Sequence, residues 1–536
     1  MLGTTWPLAA APFLLYAVAV VTGKWLRQKM VEKELSPADF SSVGVPRPEE
    51  KKIKGTAVIC GGSIAGMLAA RVCHDHFDRV VIVEAEEWLS GEDGCNPRPC
   101  TQKHRRSRVG QYYSTQGRDA TDLAHKPAYS LTQILPADFQ IRMRGHTSLV
   151  PYHLGSKIAR TLYASRQGLE TLIRRLLLAC NSYPNVKWVP GTVTGVAVDP
   201  QADGRLQKVL IHAHDGHTDI DAALVIDCTG VSQAGSKWLR RAGYDCTPSS
   251  DPNDQLAVSY MPNVHYDSFT FTLTPDIRAR LPVPGGYENA GCFFAVIANS
   301  EVDNRYLSAF QLESGRLMIT VGAWSPVDQL PRTLHDVKTF SRSLVLDKPI
   351  PEWWFGMLDM LDGCEDTMEC HPFHVPPSKY FRFHEVSHLP SNFIAIGDSL
   401  IHLNPVFGHG IPSTVLGCIA LNKSLNDLAT WDGTEVSLLP ADFSRRFFKA
   451  QWRKVEQFWC VPHYGYKTTK PSTGESLSVG SWKRFYVHHF KLLSSKDVEV
   501  GEVWWHTAML LAPSIDMFHP RIVLKVLFHA LRGGLD

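Results

Sequence analysis

Phe393-Ile394-Ala395-Ile396-Gly397-Asp398-Ser399, followed by Asn404-Pro405-Val406-Phe407-Gly408-His409-Gly410, is the stretch that decides how this chain folds. An apolar run ends in Gly397-Asp398, and a Pro-x-x-Gly-x-Gly turn then leads into a helical pattern over residues 413–425. More than 300 residues upstream the arrangement recurs, where Thr56-Ala57-Val58-Ile59-Cys60 runs into Gly61-Gly62-Ser63-Ile64-Ala65-Gly66. Strand, glycine turn and helix in that order bring free N–H groups and the positive end of a helix dipole to one spot, which suits a phosphate. Ser63 stands where the dinucleotide-binding fingerprint has its second glycine, and it is small enough to keep the backbone approachable. The β-branched run 79–83 ends at Glu84, 23 residues after Gly61. That is the reach of one strand–helix–strand unit and the place of an acid that binds ribose hydroxyls.

A third segment, Ala223-Leu224-Val225-Ile226-Asp227-Cys228-Thr229-Gly230, reads as another buried strand, closing on Asp-x-x-Gly. With Gly-Gly-Ser-x-Ala-Gly at 61–66, Ser165-Arg166-Gln167-Gly168-Leu169-Glu170 and the late Gly-Asp/Asn-Pro-x-x-Gly-x-Gly run, the chain resembles the hydroxybenzoate-hydroxylase type of FAD-dependent monooxygenases, relatives of ubiquinone-pathway hydroxylases. The resemblance covers residues 55–536. It implies an α/β fold, with a Rossmann-like FAD-binding domain and an inserted antiparallel sheet as the substrate domain. It also implies FAD held by Gly61, Gly62, Ser63, Gly66, Glu84, Arg166, Asp227, Gly230, Gly397, Asp398, Pro405, Gly408 and Gly410, with Arg108 of the basic loop 90–118 at the flavin phosphates. The bland reading of Arg108 is a solvated charge. Relatives often have arginine after Asp-Gly in the middle motif. Here Cys228-Thr229-Gly230 follows Asp227, which departs from a nicotinamide-gating segment.

Composition agrees with one large enzyme. The chain has 536 residues and 44% hydrophobic content, enough for a substantial core. Basic and acidic residues balance at 55 and 53, so nothing points to nucleic acid. Twelve cysteines without a CxxC pair suit reduced thiols.

The beginning differs from the rest. Residues 6–23 carry no charge over 18 positions, and Lys24, Arg27 and Lys29 follow. As helix this run spans about 27 Å, close to a hydrocarbon layer. It predicts a single-pass anchor within residues 1–33 that leaves the body in the cytosol, on the endoplasmic reticulum, against a cleaved signal or a buried or interfacial helix. Residues 34–54, with three prolines and a charge run, read as a linker. The FAD-binding domain is expected at 55–250 and 391–440, the substrate domain at 251–390, and a helical region at 441–536. In the substrate domain, alternation over 268–273, 292–298, 309–312 and 316–324 predicts antiparallel strands, with a turn at Ser314-Gly315. The basic amphipathic pattern 521–532 suits either packing on the protein, the commoner case, or lying on a bilayer.

Smaller constellations carry less. His371 and His374 flank Pro372 without a completing ligand, so no metal site is read there. Trp353-Trp354-Phe355 fits a substrate wall and a core equally. Asn422-Lys423-Ser424 matches a glycosylation acceptor but falls on an internal helix. The family resemblance implies NAD(P)H as a transient co-substrate, O₂ as oxidant and an apolar small molecule as substrate, in secondary metabolism. No catalytic side chain is assigned, with Tyr380, Arg382 and His374 as candidates should the substrate be a phenol. Alternatives are a flavin dehydrogenase or reductase of a lipid-soluble substrate, and a flavin halogenase, whose Trp-x-Trp-x-Ile-Pro signature is absent.

Overall fold

The computed structural model describes residues 6–86, 113–114, 133–136, 138–151, 158–178, 183–198, 204–244, 256–324, 329–386, 388–429, 439–464, 476 and 478–532. Its central layer is a five-stranded parallel sheet in the order Phe393–Ala395, Leu224–Asp227, Ile53–Cys60, Phe77–Glu84, Val186–Pro190. The inner strands read as continuous apolar runs because both faces are covered, and Ala57, Val58, Ile59 and Cys60 are all fully buried. Helices Ile64–His76, Gly410–Ala429 and Phe443–Tyr464 share that core with an antiparallel sheet of Thr192–Val198, Leu206–Ala213 and Gly216–Asp221.

The inserted domain is a seven-stranded sheet in the order Glu369–His374, His265–Thr272, Arg316–Ala323, Arg305–Gln311, Cys292–Ile297, Ile141–Met143, His146–Thr147. Alternation divides its side chains between two faces. Phe269, Phe271, Leu307, Ile319 and Val321 pack on helices Leu334–Ser343 and Glu352–Leu361. Tyr266, Tyr306 and Trp324 form a separate cluster on the other face. Trp354 is fully buried, stacked on Phe294 at 4.6 Å, with its indole N–H donated to Ser341 Oγ at 3.1 Å. This tryptophan is core. Three strands of this sheet escaped the sequence reading. Ile141–Met143 and His146–Thr147 are too short to show a period, and Glu369–His374 holds Pro372, which an edge strand tolerates because it has no ladder partner on one side.

The anchor expected within residues 1–33 finds no support among the described residues. The backbone is helical over Trp6–Glu34, but most side chains of the uncharged run lie outside the described residues. Among the described residues no helix is long and apolar enough to cross a membrane. Residues 34–54, read as a linker, are built into the body instead. Ser36 is fully buried, Lys454 Nζ donates to Asp39 at 2.6 Å, and Arg47 bonds both the Leu425 carbonyl and His76 Nδ1.

That last contact sets a pH dependence. Arg47 Nε donates to His76 Nδ1 at 3.0 Å, which leaves Nε2 as the protonated nitrogen facing Asn422 Oδ1, also at 3.0 Å. Burial pushes the His76 pKa down to about 4. The unfolded chain therefore takes up a proton below about 6.5 that the folded chain refuses until about 4, so stability is complete above that window and lost as pH falls through it. For His76 alone the loss amounts to about 3 kcal/mol. Urea melts between pH 7 and pH 4 should show a shallower decline for His76→Gln than for wild type.

Candidate functional site

Gly61 N–H donates to the Val83 carbonyl at 2.8 Å, which ties the glycine turn to the end of the neighbouring strand. Glu84 therefore stands beside the turn, and its Oε2 accepts the Gly62 N–H at 2.6 Å. Helix Ile64–His76 starts after Ser63, which makes no side-chain capping bond. Its first-turn N–H groups are of the kind a phosphate completes. A Cβ on Gly66 would lie 1.8 Å from the Gly61 carbonyl oxygen, so only glycine lets helix and turn close together.

The downstream turn meets this one. Gly397 has φ +71°, and a Cβ there would stand 3.0 Å from Ala65 Cβ and 3.1 Å from Thr414 Oγ1. Two segments remote in sequence thus touch through the first turns of helices Ile64–His76 and Gly410–Ala429. A third helix, Arg166–Leu178, joins them: Ile64, Leu162, Ala164, Leu169 and Ile411 form one apolar cluster. Arg166 Nη2 reaches Ser63 Oγ at 3.4 Å, which brings a cation to the uncapped turn. Asp398 is partly exposed, with Oδ2 3.4 Å from His402 Nδ1. Gly230 N–H donates to Ser399 Oγ at 2.9 Å, so the third segment borders the same turn.

Asp227 has a different environment. It is buried, with Oδ1 accepting from the Thr229 N–H and hydroxyl and Oδ2 from the Gly235 N–H at 2.8 Å. Burial raises its pKa against these donors. Pro405 opens a short turn ended by Gly408 at φ +67°, and helix Gly410–Ala429 follows. Burial presses the pKa of His409 down to about 4, and its ring lies 5.1 Å from that of Phe458. Arg108 lies outside the described residues.

Reading the sequence missed Glu313. It sits in the turn between strands Arg305–Gln311 and Arg316–Ala323, and its buried carboxylate accepts the Ser165 N–H at 2.7 Å as well as the Ser165 hydroxyl and Arg316. Ser165 Oγ in turn accepts the Gly168 N–H at 3.0 Å. The inserted sheet thereby fixes the start of the helix that carries Arg166. No sequence signal marks a pairing across 148 residues.

The three phenol-assisting candidates do not gather at this site. Tyr380 is buried on Trp452, with its hydroxyl 2.7 Å from His384 Nδ1. His374 stacks on His265 at 4.2 Å, and Arg382 pairs with Glu385 at 3.3 Å. What approaches the Pro405 turn from the inserted sheet is aromatic: Val406 packs on the cluster that holds Tyr266, Tyr306 and Trp324. Among the described residues no group of three or more His, Cys, Asp or Glu could hold a metal ion.

No family model matches the chain. It is 24% identical over 439 residues to protein Rv3254 of Mycobacterium tuberculosis (strain ATCC 25618 / H37Rv), covering 79% of this chain and 82% of that one. Among solved structures it is similar to the flavin-dependent brominase Bmp2, with a TM-score of 0.53 at 13% identity over 90% of this chain and 100% of the brominase. A flavoprotein/dehydrogenase from Cytophaga hutchinsonii gives 0.52 at 13% identity, again with 90% and 100% covered. At these identities the likeness is one of fold: this chain has the fold of flavin-dependent proteins.

Proposed function

We propose that the protein is an FAD-dependent monooxygenase that uses NAD(P)H and O₂ to oxygenate an apolar small molecule. The observation that carries this reading is the contact of Gly397 with Ala65, which sets both glycine turns at one site. The residues fit the dinucleotide: an uncapped helix start, a turn where a Cβ would clash, and Arg166 beside Ser63. Bound there, FAD supplies the redox chemistry, passing electrons from the nicotinamide to O₂.

The chain's own residues bind and orient. First-turn amides of helix Ile64–His76, with Arg166, would hold the pyrophosphate, Glu84 a ribose and Asp398 the ribityl chain. Helix Gly410–Ala429 would turn its positive end toward the edge of the ring where negative charge gathers. Tyr266, Tyr306 and Trp324, clustered against Val406, would form an apolar wall that excludes water from the reacting centre. No second dinucleotide fingerprint occurs in the sequence, so NAD(P)H would bind transiently.

Purified protein should carry FAD in one-to-one ratio. With NAD(P)H, labelled O₂ and extracts of the native host, label in the product supports oxygenation. Oxidation without label favours the dehydrogenase reading, and halide incorporation the halogenase reading. Asp398→Ala removes a charged hydrogen-bond acceptor of about 1.5–3 kcal/mol, which corresponds to a loss of FAD affinity of about ten- to a hundredfold. Titration of the apoprotein with FAD reads that loss.

The uncharged run 6–23 with Lys24, Arg27 and Lys29 behind it also supports attachment to the endoplasmic reticulum with a cytosolic body. Protease added to sealed microsomes should then digest the body without detergent, and protection of the body would reverse the topology.

A further inference from the structure

Helices Ser481–Leu493 and Pro520–Leu531 pack on each other through Tyr486, Phe490, Ile522 and Val526. Packing therefore uses only one side of the last helix. Leu524, Leu527, Phe528 and Leu531 recur at one-turn spacing and remain exposed, with Leu531 85% exposed. Trp482 and Phe485 of the neighbouring helix are exposed at 65% and 52%. Six large apolar side chains on two adjacent helices exceed the scattered exposure that a soluble surface ordinarily shows.

A segment from the far end of the chain reaches the same side. Arg27 makes a two-pronged bond to Asp516 at 2.8 and 3.0 Å, in the turn just before helix Pro520–Leu531. The Glu34 carboxylate accepts the Ser514 N–H and hydroxyl, both at 2.7 Å. Helix Trp6–Glu34 thus leaves the body beside the tail, and its Trp25 and Leu26 are exposed as well. Charge on this side is lopsided. Asp516 is bonded to Arg27, and Asp497 and Glu499 to Lys525. Arg532 lies over the exposed Phe528 ring at 4.0 Å, and Lys24 and Lys29 flank Trp25.

We propose that this side of the protein docks on an anionic lipid bilayer, with helix Pro520–Leu531 in the headgroup plane and its Leu524, Leu527, Phe528 and Leu531 in the acyl boundary. A protein partner would also cover apolar side chains. A bilayer accounts in addition for the excess of cations and for an uncharged 18-residue run that ends on the same side. The inference is independent of the redox reading. It also holds whether residues 6–23 cross the bilayer or lie along it.

Hydroxyl-radical footprinting of the full-length protein tests it, with phosphatidylcholine vesicles that contain or lack phosphatidylserine. On anionic vesicles, oxidation of Trp482, Phe485, Phe528 and Leu531 should fall at least about fivefold, and less on neutral ones. Val302 and Val345, exposed on the inserted domain, serve as unchanged references. Unchanged oxidation of Phe528 and Leu531 on vesicles that bind the protein would overturn the proposal while leaving an anchor at 6–23 standing. Protection without lipid that grows with protein concentration would mean that a second copy covers the face, and would overturn it too. A double variant, Phe528→Glu with Leu531→Glu, alters only exposed positions. With an unchanged melting temperature it should restore oxidation of Trp482, and persistent protection there would count against docking.

Discussion

Replacing Gly66 by alanine should strip FAD from the protein and lower its melting temperature. Two effects oppose each other at this position, and their sizes decide the sign. Inside a helix, alanine is better than glycine by about 1 kcal/mol. Against that, the new Cβ would lie 1.8 Å from the Gly61 carbonyl oxygen and 3.3 Å from Ile59 Cγ2. The first distance is close to that of a covalent bond, and both partners are held by the central strand. Helix Ile64–His76 must therefore move away from the turn, and overpacking of this kind costs about 1–3 kcal/mol or more. The clash wins. The amides that would face the pyrophosphate move with the helix, so flavin absorbance after gel filtration should fall by about tenfold or more, and Gly66→Val should lose all of it. Full FAD occupancy in both variants would remove the upstream turn from the cofactor site.

The second large effect is expected far from that turn in sequence. Glu313→Ala removes the acceptor of the Ser165 N–H and hydroxyl and the partner of Arg316. A buried donor left unsatisfied costs about 1–3 kcal/mol. The Arg316 side chain is about a third exposed and can turn to water, which limits the charge penalty. A total of about 2–4 kcal/mol follows, together with weaker FAD binding, because Ser165 caps the helix whose first residue is Arg166. Glu313→Gln keeps one acceptor oxygen and should recover part of both losses. Measuring melting temperature and FAD affinity in the two variants separates positioning from simple destabilisation. If Arg166 is positioned through Glu313, Arg166→Ala in the Glu313→Ala background should cost less FAD affinity than in wild type.

Much of this was legible beforehand. The runs 56–60, 79–83, 223–227 and 393–396 were readable as strands because a parallel sheet buried on both faces needs unbroken apolar stretches. The glycine turns and Glu84 were readable because phosphate binding limits which residues fit at fixed short spacings. The sheet of the inserted domain showed its four central strands by alternation. It hid its outermost ones, which are too short for a period or carry Pro372.

What escaped depends on distance along the chain. Glu313 with Ser165, Arg27 with Asp516 and Glu34 with Ser514 each pair residues that share no local pattern. Residues 34–54 looked like a linker because prolines and charges dominate their composition, yet Arg47 is buried against His76. The amphipathic pattern 521–532 could not say which of its sides packs, since the answer lies in the neighbouring helix Ser481–Leu493. Fold class, the two glycine turns and the cofactor they suit could be read from residue order, because they rest on local steric and electrostatic demands. Folding was needed to bring the turns together at Gly397 and Ala65, to engage the Asp227 carboxylate with its own loop, and to pair Arg27 and Glu34 with Asp516 and Ser514. Those are contacts between segments hundreds of residues apart, and packing of the whole chain selects them.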